Sequence, residues 1–276
     1  MGITVNRINV TGNVYVGVPT PSVDPATIYD WTFTETTGPY PNKGAGGSAG
    51  DFTTVDAGVV RGVSSPKGVS VRVEGQNQFN NRIITSGGSA QAALDSQITT
   101  RFTMAVWFTL ERDPTLDNAF NRILHKVDGA SWGDAGLYTS LWMEYVNSIY
   151  NFTRAAVYTN SGYLSAELPY ASPLGIQSRD LGPHLFVMTY GPDGATPGKV
   201  SVKFYVDGSL AATSAEANDG TVWLYTSFGD SNNGVWNIGS LFNNSYREGI
   251  NALYHRARID NVERDAAWVA AQWAAF

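Results

Sequence analysis

The stretch Val200-Ser201-Val202-Lys203-Phe204-Tyr205-Val206-Asp207-Gly208 decides the fold class of this chain. Successive side chains of a strand point to opposite faces, so Val202, Phe204 and Val206 fall on one side of an extended backbone. An Asp-Gly pair directly after such a run predicts a tight hairpin turn, because both residues tolerate the positive φ that the turn demands. One face of this strand is expected to be buried, with a second strand returning beside it.

The same pattern extends in both directions. Strands are expected at Ile28–Phe33, Val69–Val73, Phe102–Leu110, Asn121–Lys126, Gly136–Tyr145, Ala155–Thr159, His184–Tyr190, Lys199–Val206, Val222–Tyr225 and Trp236–Ile238. The segments between them are rich in Gly, Asn, Asp and Ser, and none has a helical period. Many short strands separated by turns predict an all-β sandwich or barrel. The period changes only at the C-terminal end. There Asn261 is expected to cap a short amphipathic helix with Glu263 and Asp265 near its positive end, and Val262, Ala266, Val269 and Trp273 form its apolar stripe. Trp268 falls off that stripe and is expected either to pack against a neighbouring loop or to project toward a partner.

Composition narrows the function. The chain has 276 residues, 43% hydrophobic and 15% charged, enough for one large β domain with appendages or for two small ones. Net charge is −6, from 18 basic and 24 acidic residues, and no Lys/Arg stripe could follow a phosphate backbone, so nucleic acid is not an expected partner. Met1–Arg7 lacks the basic and apolar regions of a signal peptide, and no apolar run reaches membrane-spanning length; a soluble chain without a membrane partner is expected. With no cysteine, disulfides and thiolate metal sites are excluded. Eight Trp suit both a sandwich core and sugar-stacking surfaces.

The first 25 residues stand apart. Val5, Ile8 and Val10 read as one short strand, Thr11-Gly12-Asn13 as a turn, and Val14, Val16 and Val18 as a second strand. Pro19, Pro21 and Pro25 then favour a stiff extended connector. Residues 1–25 are read as an assembly arm preceding a domain at 26–276, or as an ordinary first strand followed by a proline-rich loop.

Taken in order, these segments resemble the laminin-G-like branch of the concanavalin A-like jelly rolls over roughly residues 28 to 273. Ile28-Tyr29-Asp30-Trp31-Thr32-Phe33 is similar to the family's opening strand, and Phe102-Thr103-Met104-Ala105-Val106-Trp107-Phe108 to its central strand with a buried Trp. Ile123-Leu124-His125-Lys126 matches a strand that ends in Lys, and Tyr205-Val206-Asp207-Gly208 the late hairpin. Trp236-Asn237-Ile238-Gly239 resembles the late Ile-Gly strand, and Gly249–Ala257 the last one. Two departures stand out: Pro183 precedes His184 where the family has Trp, and Asn251-Ala252 replaces an acidic pair. The resemblance implies a two-sheet antiparallel β-sandwich with an N-terminal strand arm and a short C-terminal helix.

Catalytic patterns fail on their spacing. Glu111-Arg112-Asp113 begins like a glycosidase carboxylate run, but Pro114 breaks the strand and no third carboxylate follows in register. Gly46-Gly47-Ser48-Ala49-Gly50 has the nucleophile-elbow pattern without a preceding strand or a following helix. His125, His184 and His255 are far apart and show no metal-pair spacing. Asp207 is assigned to shaping its turn.

Binding patterns remain. Asp230, Asn232 and Asn233 offer oxygen ligands for Ca2+ in a tight turn, the other reading being an Asx-turn loop without metal. Trp132, Tyr163, Tyr170, Trp223, Tyr225 and Tyr246 fall in or near loops and are candidate glycan-stacking residues. Because laminin-G-like domains also occur on virions, the resemblance and the arm lead to a non-enzymatic structural protein of a phage particle. As a capsid decoration or fibre component at the virion surface, it would attach to capsid or other virion chains through its arm and form a homo-oligomer. The alternative is an extracellular, lectin-like carbohydrate-binding module, with or without calcium.

Overall fold

A computed structural model describes residues 24–74, 82–98, 100–113, 120–127, 137–146, 150–159, 162–192, 196–220, 234–239 and 250–276. In chain order the strands are β1 (Thr27–Thr32), β2 (Phe52–Val55), β3 (Val60–Ser65), β4 (Gly68–Val73), β5 (Arg82–Thr85), β6 (Phe102–Leu110), β7 (Phe120–Val127), β8 (Leu137–Val146), β9 (Tyr150–Thr159), β10 (Gly162–Pro169), β11 (Gly182–Pro192), β12 (Lys199–Val206), β13 (Ser209–Thr213), β14 (Ala217–Asn218), β15 (Val235–Gly239) and β16 (Ala252–Asp260). The helices are α1 (Gly88–Asp95), α2 (Pro173–Gln177) and α3 (Ala266–Ala275).

These strands form two antiparallel sheets. The first runs β13-β12-β11-β6-β16-β4-β3, with β1 also paired to β16 and β14 to β12; the second runs β10-β9-β8-β7-β15-β5-β2. Their inner faces enclose one core that includes Trp31, Val106, Phe108, Phe186, Phe204, Leu124, Leu141, Val157 and Trp236. Each fully buried side chain of this kind stabilises the fold by about 1.5–3 kcal/mol relative to exposure. The chain is an all-β sandwich with a short helix at its C-terminal end.

The hairpin read from residues 200–208 forms as expected. β12 spans Lys199–Val206, β13 returns beside it, and Asp207 (φ 49°) and Gly208 (φ 84°) make the turn with left-handed backbone. Asp207 does more than shape that turn. Its Oδ1 accepts the Leu185 backbone N–H (2.8 Å) and its Oδ2 the Nδ1–H of His184 (2.9 Å), while His184 Nε2 donates to the Asp180 carbonyl (2.7 Å). Both ring nitrogens face acceptors, an arrangement that favours the doubly protonated ring. Burial opposes that charge, but the Asp207 carboxylate outweighs it and raises the His184 pKa above 6.5.

The strand is also buried on its second face. Tyr205, with Ala105, Trp107, Leu185 and Val187, forms a smaller cluster on the outer side of the first sheet, under Val269, Trp268, Trp273 and Phe276. A Cβ on Gly208 would approach Trp273 Cβ to 3.2 Å, so α3 lies directly on the hairpin turn.

Several expectations need correction. Helices α1 and α2 interrupt the strands before the C-terminus, where none was anticipated. The last helix is capped by Asp265, whose side chain accepts the Trp268 N–H (2.8 Å), and not by Asn261, which follows β16 directly. A carboxylate at the first free N–H groups satisfies them more fully than an amide four residues earlier, where the backbone is still leaving the strand. Strands β2, β3, β5, β10 and β14 were not anticipated, and β9 starts at Tyr150 and not at Ala155. The expected strand Val222–Tyr225 and the arm residues Val5, Ile8, Val10, Val14, Val16 and Val18 lie outside the described residues.

Lys126, at the end of β7, is fully buried and ion-paired with Asp95 of α1. It also donates to the Gly234 carbonyl, and the other Asp95 oxygen accepts from Tyr29 Oη (2.7 Å) and Trp236 Nε1 (3.1 Å). Every polar atom of this pair is met, which is what allows two charges to remain in a dry core.

Candidate functional site

On β9 and β10 the two-residue period separates two surfaces. Ala155, Val157, Leu164, Ala166 and Leu168 enter the core, so Phe152, Arg154, Ala156, Tyr158, Tyr163, Ser165 and Glu167 lie on the outer face of the second sheet. Register places these residues in rows: Tyr158 opposite Tyr163, Ala156 opposite Ser165, and Arg154 opposite Glu167. The rows continue across the sheet through positions 140 and 142 of β8 to His125 and Arg122 of β7. From His125 they pass to Asn237 of β15 and Ile84 of β5. Ser140 and Trp142 occupy the two β8 positions.

Small residues at Ala156 and Ser165 set an aromatic pair on one side and an ion pair on the other. The Tyr158 and Tyr163 ring centroids are 4.6 Å apart and tilted by 44°. Arg154 Nη2 lies 2.7 Å from Glu167 Oε1, Arg154 Nη1 donates to Tyr163 Oη (3.3 Å), and the guanidinium sits 4.2 Å over the Phe152 ring. Ser165 Oγ donates to Glu167 Oε1 (3.2 Å). Tyr163 is 40% exposed and the Glu167 side chain 43%, so the aromatic and charged rows meet solvent at β10, while Ala156 between them is buried.

The β7–β15 half of the same face is closed. His125 is fully buried and neither ring nitrogen has a hydrogen-bond partner among the described residues; burial, and then the nearby Arg122 charge, hold its pKa well below the ordinary imidazole value. His125 is therefore neutral. His255, on the first sheet, is likewise pushed down to about 4 by burial and by Lys67.

Of the glycan candidates, Tyr163 lies on this face. Tyr170 does not: it is 5% exposed, with the Arg179 guanidinium 4.9 Å from its ring centroid, so it belongs to the core. Trp132, Trp223, Tyr225 and Tyr246 lie outside the described residues, as do the calcium candidates Asp230, Asn232 and Asn233. Among the described residues no group of three or more His, Asp or Glu could hold a metal ion. Glu111, which opens the carboxylate run, forms a two-toothed ion pair with Arg72 (2.7 and 2.8 Å). Phe152 and Arg154 were missed because β9 was started too late, Glu167 because β10 was not anticipated, and Tyr158 because it fell inside the expected strand Ala155–Thr159 and away from any loop. The alternation Phe152-Arg154-Ala156-Tyr158 carries the signal once the strand is extended to Tyr150.

No protein-family model and no curated protein sequence matches the chain. Solved structures do. The binding domain of botulinum neurotoxin DC in complex with rat synaptotagmin II is 10% identical with a TM-score of 0.57, covering 92% of this chain and 52% of that one. The same toxin's binding domain in complex with SialylT is 11% identical with a TM-score of 0.57, covering 91% and 51%. The binding domain of Paraclostridial Mosquitocidal Protein 1 is 10% identical with a TM-score of 0.55, covering 90% and 52%. This chain spans about half the length of the structures it matches, and at such identity the likeness is one of fold.

Proposed function

We propose that the chain is a non-enzymatic carbohydrate-binding module that takes its glycan on the outer face of the second sheet. The observation that carries this reading is the register of Tyr158, Tyr163, Arg154 and Glu167 around the small pair Ala156 and Ser165. Aromatic faces receive the C–H side of a sugar ring, and neighbouring charged and hydroxyl groups receive its hydroxyls. The fold's likeness to toxin binding domains, one of them solved with SialylT, supports a binding role over a catalytic one. Such a module acts at an exposed surface, outside a cell or on a particle. An array of immobilised glycans probed with the intact protein tests the proposal, and binding to none of them rejects it. A parallel arm with chelator tests calcium at Asp230, Asn232 and Asn233: loss of binding on chelation supports the metal.

A second reading rests on the alternation of Val5, Ile8, Val10, Val14, Val16 and Val18 ahead of a proline connector. Such an arm can add to another chain's sheet edge and hold the module on a phage capsid or in a homo-oligomer. Deleting residues 1–25 should abolish incorporation into particles and leave the domain folded; normal incorporation of the truncated protein removes this reading.

A further inference from the structure

We infer that the sugar taken at the β9–β10 face is a neutral pyranose, and this rests on the carbohydrate-binding reading above. The polar groups of the face are arranged to answer one another's charge. Arg154 Nη2 is 2.7 Å from Glu167 Oε1, and the same oxygen accepts from Ser165 Oγ (3.2 Å). Glu167 is 43% exposed on its side chain, and its second oxygen, Oε2, accepts no hydrogen bond among the described residues. The acceptor offered to a ligand is thus one arm of an ionised carboxylate beside the exposed Tyr163 ring.

A sugar hydroxyl donates to that oxygen in a charge-assisted hydrogen bond while the ring's apolar face rests against Tyr163. A carboxylate or sulfate on the sugar has no proton to give and meets Glu167 with like charge. To reach Arg154 it must displace a carboxylate already 2.7 Å from the guanidinium, on a chain whose net charge is −6. The geometry therefore selects hydroxyl donors and rejects anions.

The test uses the intact protein against immobilised maltohexaose, cellohexaose, sialyllactose and oligogalacturonate, at low and high salt, with Tyr163→Ala and Glu167→Ala beside the parent. Expected is binding to one of the neutral oligosaccharides that is insensitive to salt. Each variant should weaken it at least tenfold while melting like the parent. Preferential binding to sialyllactose or oligogalacturonate that weakens with salt overturns the neutral assignment and leaves the glycan reading intact. Neutral-sugar binding unchanged in both variants moves the site elsewhere and also overturns it. Binding to none of the four here, and to none of the wider array, defeats the carbohydrate reading itself.

Discussion

On the first sheet the outward positions of β6, β11 and β12 are Ala105, Trp107, Leu185, Val187 and Tyr205, and α3 lies across them. On the second sheet the outward positions of β9 and β10 include Arg154, Tyr158, Tyr163, Ser165 and Glu167, and Tyr163 meets solvent. Both surfaces are built on antiparallel strand pairs, and their alternate residues differ. Where both faces of a strand are buried the sequence runs apolar without a break, as in Met104-Ala105-Val106-Trp107-Phe108. Where one face stays open, apolar and polar positions alternate. The first surface therefore carries stability, and the second leaves aromatic and polar groups at the solvent.

The contrast can be broken at its apolar side with the greatest effect. Trp107→Ala removes the largest side chain beneath α3 and should cost about 3–5 kcal/mol of stability, measured by urea unfolding, with glycan binding unchanged while the protein is folded. An equal loss from Tyr163→Ala would erase the distinction between the faces.

His184→Gln should cost about 2–3 kcal/mol by leaving the buried Asp207 without its charged partner. The parent's dependence on pH carries the same signature. Because the folded-state pKa of His184 is raised, its contribution is full below pH 6.5 and fades as pH climbs through the raised value. His125 and His255 act in the opposite sense. Both are held neutral in the fold, so acidification below 6.5 favours the unfolded chain, which binds those protons first, until His255 itself titrates at about 4. Imidazole NMR titration should show His184 still protonated where His255 has long been neutral; a shared midpoint would contradict the assignment.

Asp265→Ala removes the N-cap of α3 and should cost about 1 kcal/mol, read as a lower urea midpoint with an unchanged slope. Smallest of all, Tyr163→Ala should change stability by no more than about 0.5 kcal/mol, as an exposed substitution does, while glycan affinity falls.

The sequence alone revealed the sandwich more completely than the site. Phe102–Leu110 and Lys199–Val206 were legible to their last residue because apolar side chains fill both faces or strictly alternate. The edge strand Val60–Ser65 was not, since partly exposed positions need no apolar pattern and its pairing is fixed by the neighbouring strand. Helix α1 reads as a Gly-Ser loop. It is held by partners distant in sequence: Gln91 donates to the Gly234 carbonyl and Asp95 binds Lys126, Tyr29 and Trp236. At the site, Tyr163 was picked out as an aromatic but placed near a loop. Its neighbours Arg154 and Glu167 become a pair only once the β9–β10 register is known.

Strand β16 sets the order of events at birth. It lies in the middle of the first sheet, paired with β6 along its length, with β4 at its first residues and with β1 at its last. Synthesis runs from the other end, so β1, β4 and β6 leave the ribosome well before the strand that joins them. Until residues 252–260 emerge, the open edges of β4 and β6 are templates for any passing strand. Completion of the sheet is a long-range closure of the kind that folds in milliseconds to seconds. A nascent chain stalled short of β16 leaves those edges unpaired, the condition under which strands aggregate.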